Sequence, residues 1–180
     1  MKKIFHLVLS LTIIAAVCAA VLATVNSVTK EQIATIKIRA TQNAAKLVMP
    51  ASVKSVEQQG EGANAYFVGK DANGKPIAYA LKGVCGQGYG GDIVLMVGFL
   101  TDRTIVTYQK LEASETPGLG SNLTSEGFMK QFKGLSAAKD ISVAKDGGVV
   151  EAITSATITS RAVCNAINTA RGKLDKILAK

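Results

Sequence analysis

The chain has 180 residues, 21 Lys+Arg against 13 Asp+Glu, and a formal net charge of +8. With 48% hydrophobic and only 19% charged residues it is neither a disordered tail nor a fibrous protein. One His, no Trp and three scattered Cys exclude a His-rich metal site, a His-based triad and a disulfide framework.

The apolar content is concentrated at the start. Ile4 to Val25 carries no acid, Lys or Arg, and Lys2 and Lys3 precede it. About 20 apolar residues cross the hydrocarbon core as a helix, so this run is long enough. The positive-inside bias keeps Lys2 and Lys3 in the cytoplasm and puts the rest of the chain outside. A cleaved signal peptide shares the basic start and apolar middle. The run exceeds the usual h-region of about 7–15 residues, and helical spacing continues past it, which favours a retained anchor. Residues 1–28 therefore read as a membrane anchor and 29–180 as an exported domain. The basic surface has no Arg cluster or aromatic-basic stripe, so nucleic acid is not an expected partner.

From Thr29 to Val48, Ile33, Ile36, Ala40, Ala44, Leu47 and Val48 recur at helical spacing, and Met49-Pro50 ends the pattern. Ser52 to Ala63 reads as a loop or weak edge. Tyr66 to Val68 and Ile77 to Leu81 flank Asp71-Ala72-Asn73-Gly74, where Asn-Gly predicts a hairpin. A Gly-rich loop follows over Gly86 to Gly91. Ile93 to Leu100 and Thr104 to Leu111 form a second hairpin. Ser125 is placed to N-cap a short helix over Gly127 to Lys133, stopped by Gly134. Ile141 to Val143 and Val149 to Ile153 read as a third hairpin. The last helix has the stripe Val163, Ala166, Ile167, Ala170, Leu174, Ile177 and Leu178, with Arg161, Asn165, Lys173 and Lys176 opposite. Hairpins with few helices predict an α+β domain, a hairpin-rich antiparallel sheet packed with helices, preceded by one transmembrane helix.

Three stretches carry chemistry. Gly86-Gln87-Gly88-Tyr89-Gly90-Gly91 fits G-x-G-x-x-G, but a strand follows it where a dinucleotide site needs a helix, so that reading is rejected. A structural turn and a close backbone approach to a ligand both stay open. Glu115-Thr116-Pro117-Gly118-Leu119-Gly120 is a loop whose shape is tightly specified by Pro and two Gly. In Thr154-Ser155-Ala156-Thr157-Ile158-Thr159-Ser160, five of seven residues bear hydroxyls just where the final helix begins. Hydroxyls and free N–H groups at a helix start suit a phosphate; a plain N-cap with spare hydroxyls suits the same residues.

Glu151 to Ser160 resembles the flavinylation motif of the FMN-binding domain family, Asp-x-[hydrophobic]-[Ser/Thr]-Gly-Ala-Thr-x-[Ser/Thr]. The Glu115 to Gly120 hexapeptide and the Gly88 to Asp92 run resemble the same family in the same order. The whole chain is similar to its membrane-anchored members, in Rnf-type ion-translocating complexes and in sodium-translocating NADH:quinone reductase. The resemblance implies FMN joined by a phosphoester to Thr157. It implies a binding set of Glu115, Thr116, Gly118, Leu119, Gly120, Thr154, Ser155 and Ala156, with the ring against Thr116 and Leu119. No catalytic acid or base and no metal is expected. The implied function is an electron-relay subunit of a ferredoxin/NAD-type translocating oxidoreductase. Its implied partners are the other subunits of the Rnf-type complex, a flavin-attaching transferase and the inner (cytoplasmic) membrane. A stand-alone anchored flavoprotein and a flavin-free tethered binding protein are the alternatives. Glu151 stands where the motif has Asp, and Ser155 where it has Gly. If that position needs positive φ, Ser155 is strained there.

Overall fold

The computed structural model describes residues 2–60, 62 and 65–179. Backbone contacts divide the chain into two compact units, Met1–Ala40 and Thr41–Lys180.

Helix α1 runs Lys2–Leu47 without a break. It is long and apolar enough to cross a membrane, and none of its most apolar window is buried. The few hydroxyls within it turn back onto the helix. Thr12 donates to Val8 O at 2.9 Å, Thr24 to Ala20 O at 2.8 Å and Thr29 to Val25 O at 2.8 Å. These bonds satisfy each hydroxyl within the helix itself.

In the second unit, β1 (Ser55–Gln59), β2 (Tyr66–Lys70), β3 (Pro76–Gly88), β4 (Gly91–Leu100) and β5 (Ile105–Glu112) form one antiparallel meander in chain order. Period-2 alternation gives the sheet two apolar faces. One face of β4 presents Ile93, Leu95, Val97 and Phe99 to the larger core, with Leu81 of β3 and Tyr108 of β5. The opposite face presents Met96, with Ala80 and Phe67, to Ala44, Ala45 and Val48 at the end of α1. The C-terminal helix (Thr157–Leu178), the third α-helix in the chain and labelled α3, covers the first face with Val163, Ala166, Ile167, Ala170 and Leu174. Each fully buried Val, Ile or Leu of this set contributes about 1.5–3 kcal/mol.

Two glycines set how closely helix and sheet approach. A Cβ on Gly83 would stand 2.0 Å from Ala166 O of α3, and one on Gly98 would stand 2.0 Å from Val48 O on the other face. The edge of the main core is closed by Phe128 of α2 (Glu126–Lys130), Phe132 and Tyr108, packed edge-to-face with centroids 5.4 Å apart. The Tyr108 hydroxyl donates to Leu123 O.

The first two hairpins form as expected. Asp71 accepts from Asn73 N at 2.8 Å and Lys75 N at 2.9 Å, and Gly74 has φ 79°. Four expectations are corrected. Gly86 to Gly91 is not a loop: β3 continues to Gly88, only Tyr89 and Gly90 turn, and β4 starts at Gly91. Glycines that suggest a loop here permit a pinched hairpin end instead. The third hairpin does not form. Val143 and Val150 meet in a single parallel bridge around a 3-10 turn, Ala144–Asp146. The chain folds back tightly here: Gly148 N donates to Val143 O at 3.0 Å, and a Cβ on Gly148 would stand 1.9 Å from Ser142 O. Ser125 makes no side-chain cap bond, and its helix ends at Lys130. Leu47 is exposed, because the last turn of α1 docks through Ala44, Ala45 and Val48. Of the Ser52 to Ala63 segment, residues 55–59 form the polar edge strand β1, and Ala63 lies outside the described residues.

Candidate functional site

A cavity of about 430 Å³ opens where three segments meet. Tyr89 comes from the β3–β4 turn. Glu115, Thr116, Leu119 and Gly120 come from the segment after β5. Ser155 to Thr159 come from the start of α3.

Glu115 is the junction of the three. Its Oε1 accepts from Gly90 N at 3.2 Å and its Oε2 from Thr159 Oγ1 at 2.7 Å. Both neighbouring glycines must lack bulk. A Cβ on Gly120 would stand 2.4 Å from Glu115 Oε2, and one on Gly90 1.7 Å from Ser114 O. The hexapeptide then closes on itself. Thr116 O accepts from Leu119 N at 3.2 Å and Ser121 N at 3.1 Å. Gly118 has φ 76°, its N–H approaches Ser121 Oγ at 2.9 Å, and its carbonyl accepts from Asn122 Nδ2 at 2.9 Å.

The hydroxyl cluster separates by burial and partners. Ser160 is fully buried; it accepts from Ile153 N at 2.9 Å and donates to Ala156 O at 2.9 Å. Thr159 is buried and committed to Glu115. Thr154 and Ser155 are exposed. Thr157 is half-buried, the first residue of α3, and its hydroxyl faces a cation: Lys145 Nζ donates to Thr157 Oγ1 at 3.5 Å. The N-cap is Ala156, which offers no capping side chain, so the first-turn N–H groups of α3 have neither an intrahelical partner nor a side-chain cap.

Ser155 has φ 59°, a left-handed backbone held by the turn into α3. For a non-Gly residue this costs on the order of 1–2 kcal/mol. The surrounding bonds through Ser160 and Glu115 maintain the turn regardless. Beside the cavity, Arg161 pairs with Asp146 through two bonds of 2.7 Å. Those bonds hold the Asp146 carboxyl below its ordinary range and push Arg161 up.

Of the residues expected from sequence, Glu115, Thr116, Leu119, Gly120, Ser155, Ala156 and Thr157 meet at this cavity. Gly118 and Thr154 instead line a neighbouring, more open cavity of about 590 Å³, which shares Leu119 and Ser155 as its rim. Tyr89, Ile158 and Thr159 also line the first cavity; they lie inside the stretches that carry chemistry in the sequence but outside the expected binding set, whereas Lys145, which stands beside Thr157, lies in none of those stretches. Tyr89 is legible as a lone aromatic among glycines. Lys145 is not, because only the folded 3-10 turn brings it to α3. Among the described residues no group of three or more His, Cys, Asp or Glu could hold a metal ion.

The family model of the FMN-binding domain matches residues 88–172, which include every wall of the cavity. The chain is 33% identical over 177 residues to the G subunit of the ion-translocating oxidoreductase complex of Methanosarcina acetivorans, covering 94% of this chain and 93% of that one. It is 31% identical over 187 residues to the G subunit of the Na(+)-translocating ferredoxin:NAD(+) oxidoreductase complex of Acetobacterium woodii, covering 93% and 89%. The chain belongs to the family of these G subunits. Its fold is shared with NqrC of Shewanella oneidensis, at TM-score 0.52 and 20% identity over 76% of this chain and 74% of that one. The C subunit of the Na(+)-translocating NADH-quinone reductase of Parabacteroides distasonis has the same fold, at TM-score 0.55 and 23% identity over 71% and 79%.

Proposed function

We propose that this chain is an electron-relay subunit of an Rnf-type, ferredoxin/NAD-coupled translocating complex, and that it carries FMN joined through its phosphate to Thr157. The observation that carries the attachment is the position of the Thr157 hydroxyl. It lies at the cavity, starts a helix whose first N–H groups are uncapped, and has Lys145 Nζ at 3.5 Å. That donor set fits a phosphodiester, which bears one negative charge.

The cavity rim fits the other end of the molecule. Tyr89, Leu119 and Ile158 are large apolar side chains that are 71%, 42% and 49% exposed, all on this one cavity. An isoalloxazine ring lying among them covers apolar surface that otherwise faces water. Thr116 offers a polar contact there. Glu115 acts through its two bonds, fixing the turn at Gly90 and the first turn of α3 against each other. Gly118, Gly120, Thr154, Ser155 and Ala156 shape the backbone around the phosphate and the loop. When bound, FMN supplies redox chemistry that accepts and releases electrons singly or in pairs.

Esterification forms a bond from Thr157 Oγ1 to the flavin phosphorus. An activated flavin dinucleotide balances this step: its P–O–P linkage breaks, the nucleotide leaves and the hydroxyl proton is released. A transferase supplies that activation. Residues 1–28 anchor the protein in the cytoplasmic membrane with Lys2 and Lys3 inside, and residues 29–180 lie on the exported side beside the other subunits of the complex. Intact mass and tryptic mapping of the full chain, produced with a flavin transferase, test the reading. A flavin adduct on the peptide ending at Arg161, assigned by fragmentation to Thr157, is the expected result. Flavin that is released on denaturation overturns the covalent link.

A further inference from the structure

The turn that carries Lys145 has a specific geometry. Ala144–Asp146 is a single 3-10 turn, entered from the bridge at Val143 and left through Gly147, which has φ 82°. Asp146 on that turn makes a bidentate pair with Arg161 in the second turn of α3, at 2.7 Å for each bond. The adjacent Lys145 then projects toward the first turn and ends 3.5 Å from Thr157 Oγ1. Lys145 is exposed and no carboxylate among the described residues pairs with it, whereas the neighbouring Arg161 is already neutralised by Asp146.

We infer that Lys145 is the counter-ion of the phosphoryl group on Thr157, and that the Asp146–Arg161 pair is the brace that aims it. The inference rests on the reading that Thr157 carries the flavin. The chemistry is one of complementary charge. A positive ammonium next to the oxygen where the phosphodiester forms attracts the incoming anionic flavin dinucleotide, and it pairs with the single charge left after the nucleotide departs. The Arg161 charge is already paired, with Nε and one Nη bonded to the two oxygens of Asp146 at 2.7 Å. Lys145 is thus a positioning residue for the attachment step.

The experiment uses the full chain in detergent, a flavin transferase and a flavin dinucleotide. Attachment is followed by intact mass, and the finished ester by ³¹P NMR. Lys145→Gln keeps most of the side-chain length and removes its charge. Its initial attachment rate is expected to fall about fivefold at low salt, the size of effect an exposed charge pair can exert. The gap should close near 1 M salt, where the screening length is only about 3 Å. The ³¹P resonance of the ester should shift in Lys145→Gln and return in Lys145→Arg. Asp146→Asn should fall between parent and Lys145→Gln, because the cation remains but its brace is lost. A parent chain with no adduct overturns the Thr157 reading and this inference with it. A parent with a Thr157 adduct, and a Lys145→Gln variant with the same rate and the same resonance, overturns the role of Lys145 alone.

Discussion

Thr159 Oγ1 donates to Glu115 Oε2 at 2.7 Å, joining the first turn of α3 to a loop 44 positions earlier in the chain. The other oxygen of the same carboxylate accepts from Gly90 N, so one side chain ties three segments into a single cavity wall. Removing it leaves the buried Thr159 hydroxyl without its acceptor, a cost of about 1–3 kcal/mol. Glu115→Ala should lower thermal stability by that amount and weaken flavin-ring ordering, while Glu115→Gln, whose amide oxygen keeps one of the two acceptors and can still take the Thr159 bond, should lose less. Thermal unfolding of the two variants checks this; equal losses would mean that the latch does not depend on hydrogen bonding at Oε2.

Thr157→Val retains the shape of the side chain and removes its oxygen. Folding should be unaffected and covalent flavin absent. Thr154 lines the neighbouring cavity, so Thr154→Val should keep its adduct. Flavin absorbance after denaturing filtration reads both. An adduct that survives in Thr157→Val would relocate the attachment point.

Ser155 occupies a left-handed conformation at φ 59°. Ser155→Gly relieves strain of about 1–2 kcal/mol and adds unfolded-chain entropy worth about 0.4–1 kcal/mol, so a net gain of about 0.5–1 kcal/mol is expected. Attachment of flavin should be at least as fast as in the parent. Denaturant midpoints and attachment rates measure the two effects; a less stable Ser155→Gly variant would contradict the strain assignment.

Gly83 and Gly98 mark the close approach of a helix on each face of the sheet. Gly83→Ala places a methyl within 2.0 Å of Ala166 O, and Gly98→Ala does the same against Val48 O. Backbone cannot yield as a side-chain tip does, so each should destabilise the domain by about 2–3 kcal/mol. Gly172, whose Cβ would meet nothing within 4 Å, serves as the control. Gly172→Ala should be neutral or stabilising in the same thermal assay.

Burial pushes the Cys164 thiol from 9.0 up to about 12 and raises Tyr108 as well. Above pH 9 the unfolded chain loses the Cys164 proton while the folded chain keeps it, so the folded state binds more protons. Stability is therefore full below pH 9 and falls as pH rises through the window from 9 to about 12, with a slope of at most about 1.4 kcal/mol per pH unit for this one group. Unfolding free energy measured from about pH 8 to 10.5 should decline, and Cys164→Ala should flatten the decline. Cys164 should also resist alkylation in the native state near neutral pH, being 1% exposed.

The apolar N-terminal helix, the meander and the final helix are legible in the sequence because each is a local pattern. A charge-free run over Ile4 to Val25, a short continuous apolar run over Ile93 to Leu100 and the Val163 to Leu174 stripe each mark an element within one short window of sequence. Thr157 is singled out among its neighbouring hydroxyls only by the resemblance of Glu151 to Ser160 to the family's flavinylation motif, since the local pattern alone suits a plain N-cap equally well. Where local pattern is ambiguous, the tertiary structure decides. Glycines at 86–91 allow a loop or a pinched hairpin, and the pairing of Gly88 with Gly91 selects the hairpin. Apolar runs on either side of Lys145 to Gly148 suggest a ladder, but the docking of Asp146 on Arg161 goes with a compact turn instead.

What the sequence by itself determined is the order and type of the main elements and the short motif that contains Thr157. What only the tertiary structure decided is which side chains surround that hydroxyl. Glu115, Lys145, Thr157 and Thr159 come from three separate segments, and their distances depend on how closely α3 sits on the sheet. That spacing is set by Gly83 against Ala166, a contact across a long stretch of chain that no periodicity within either segment encodes.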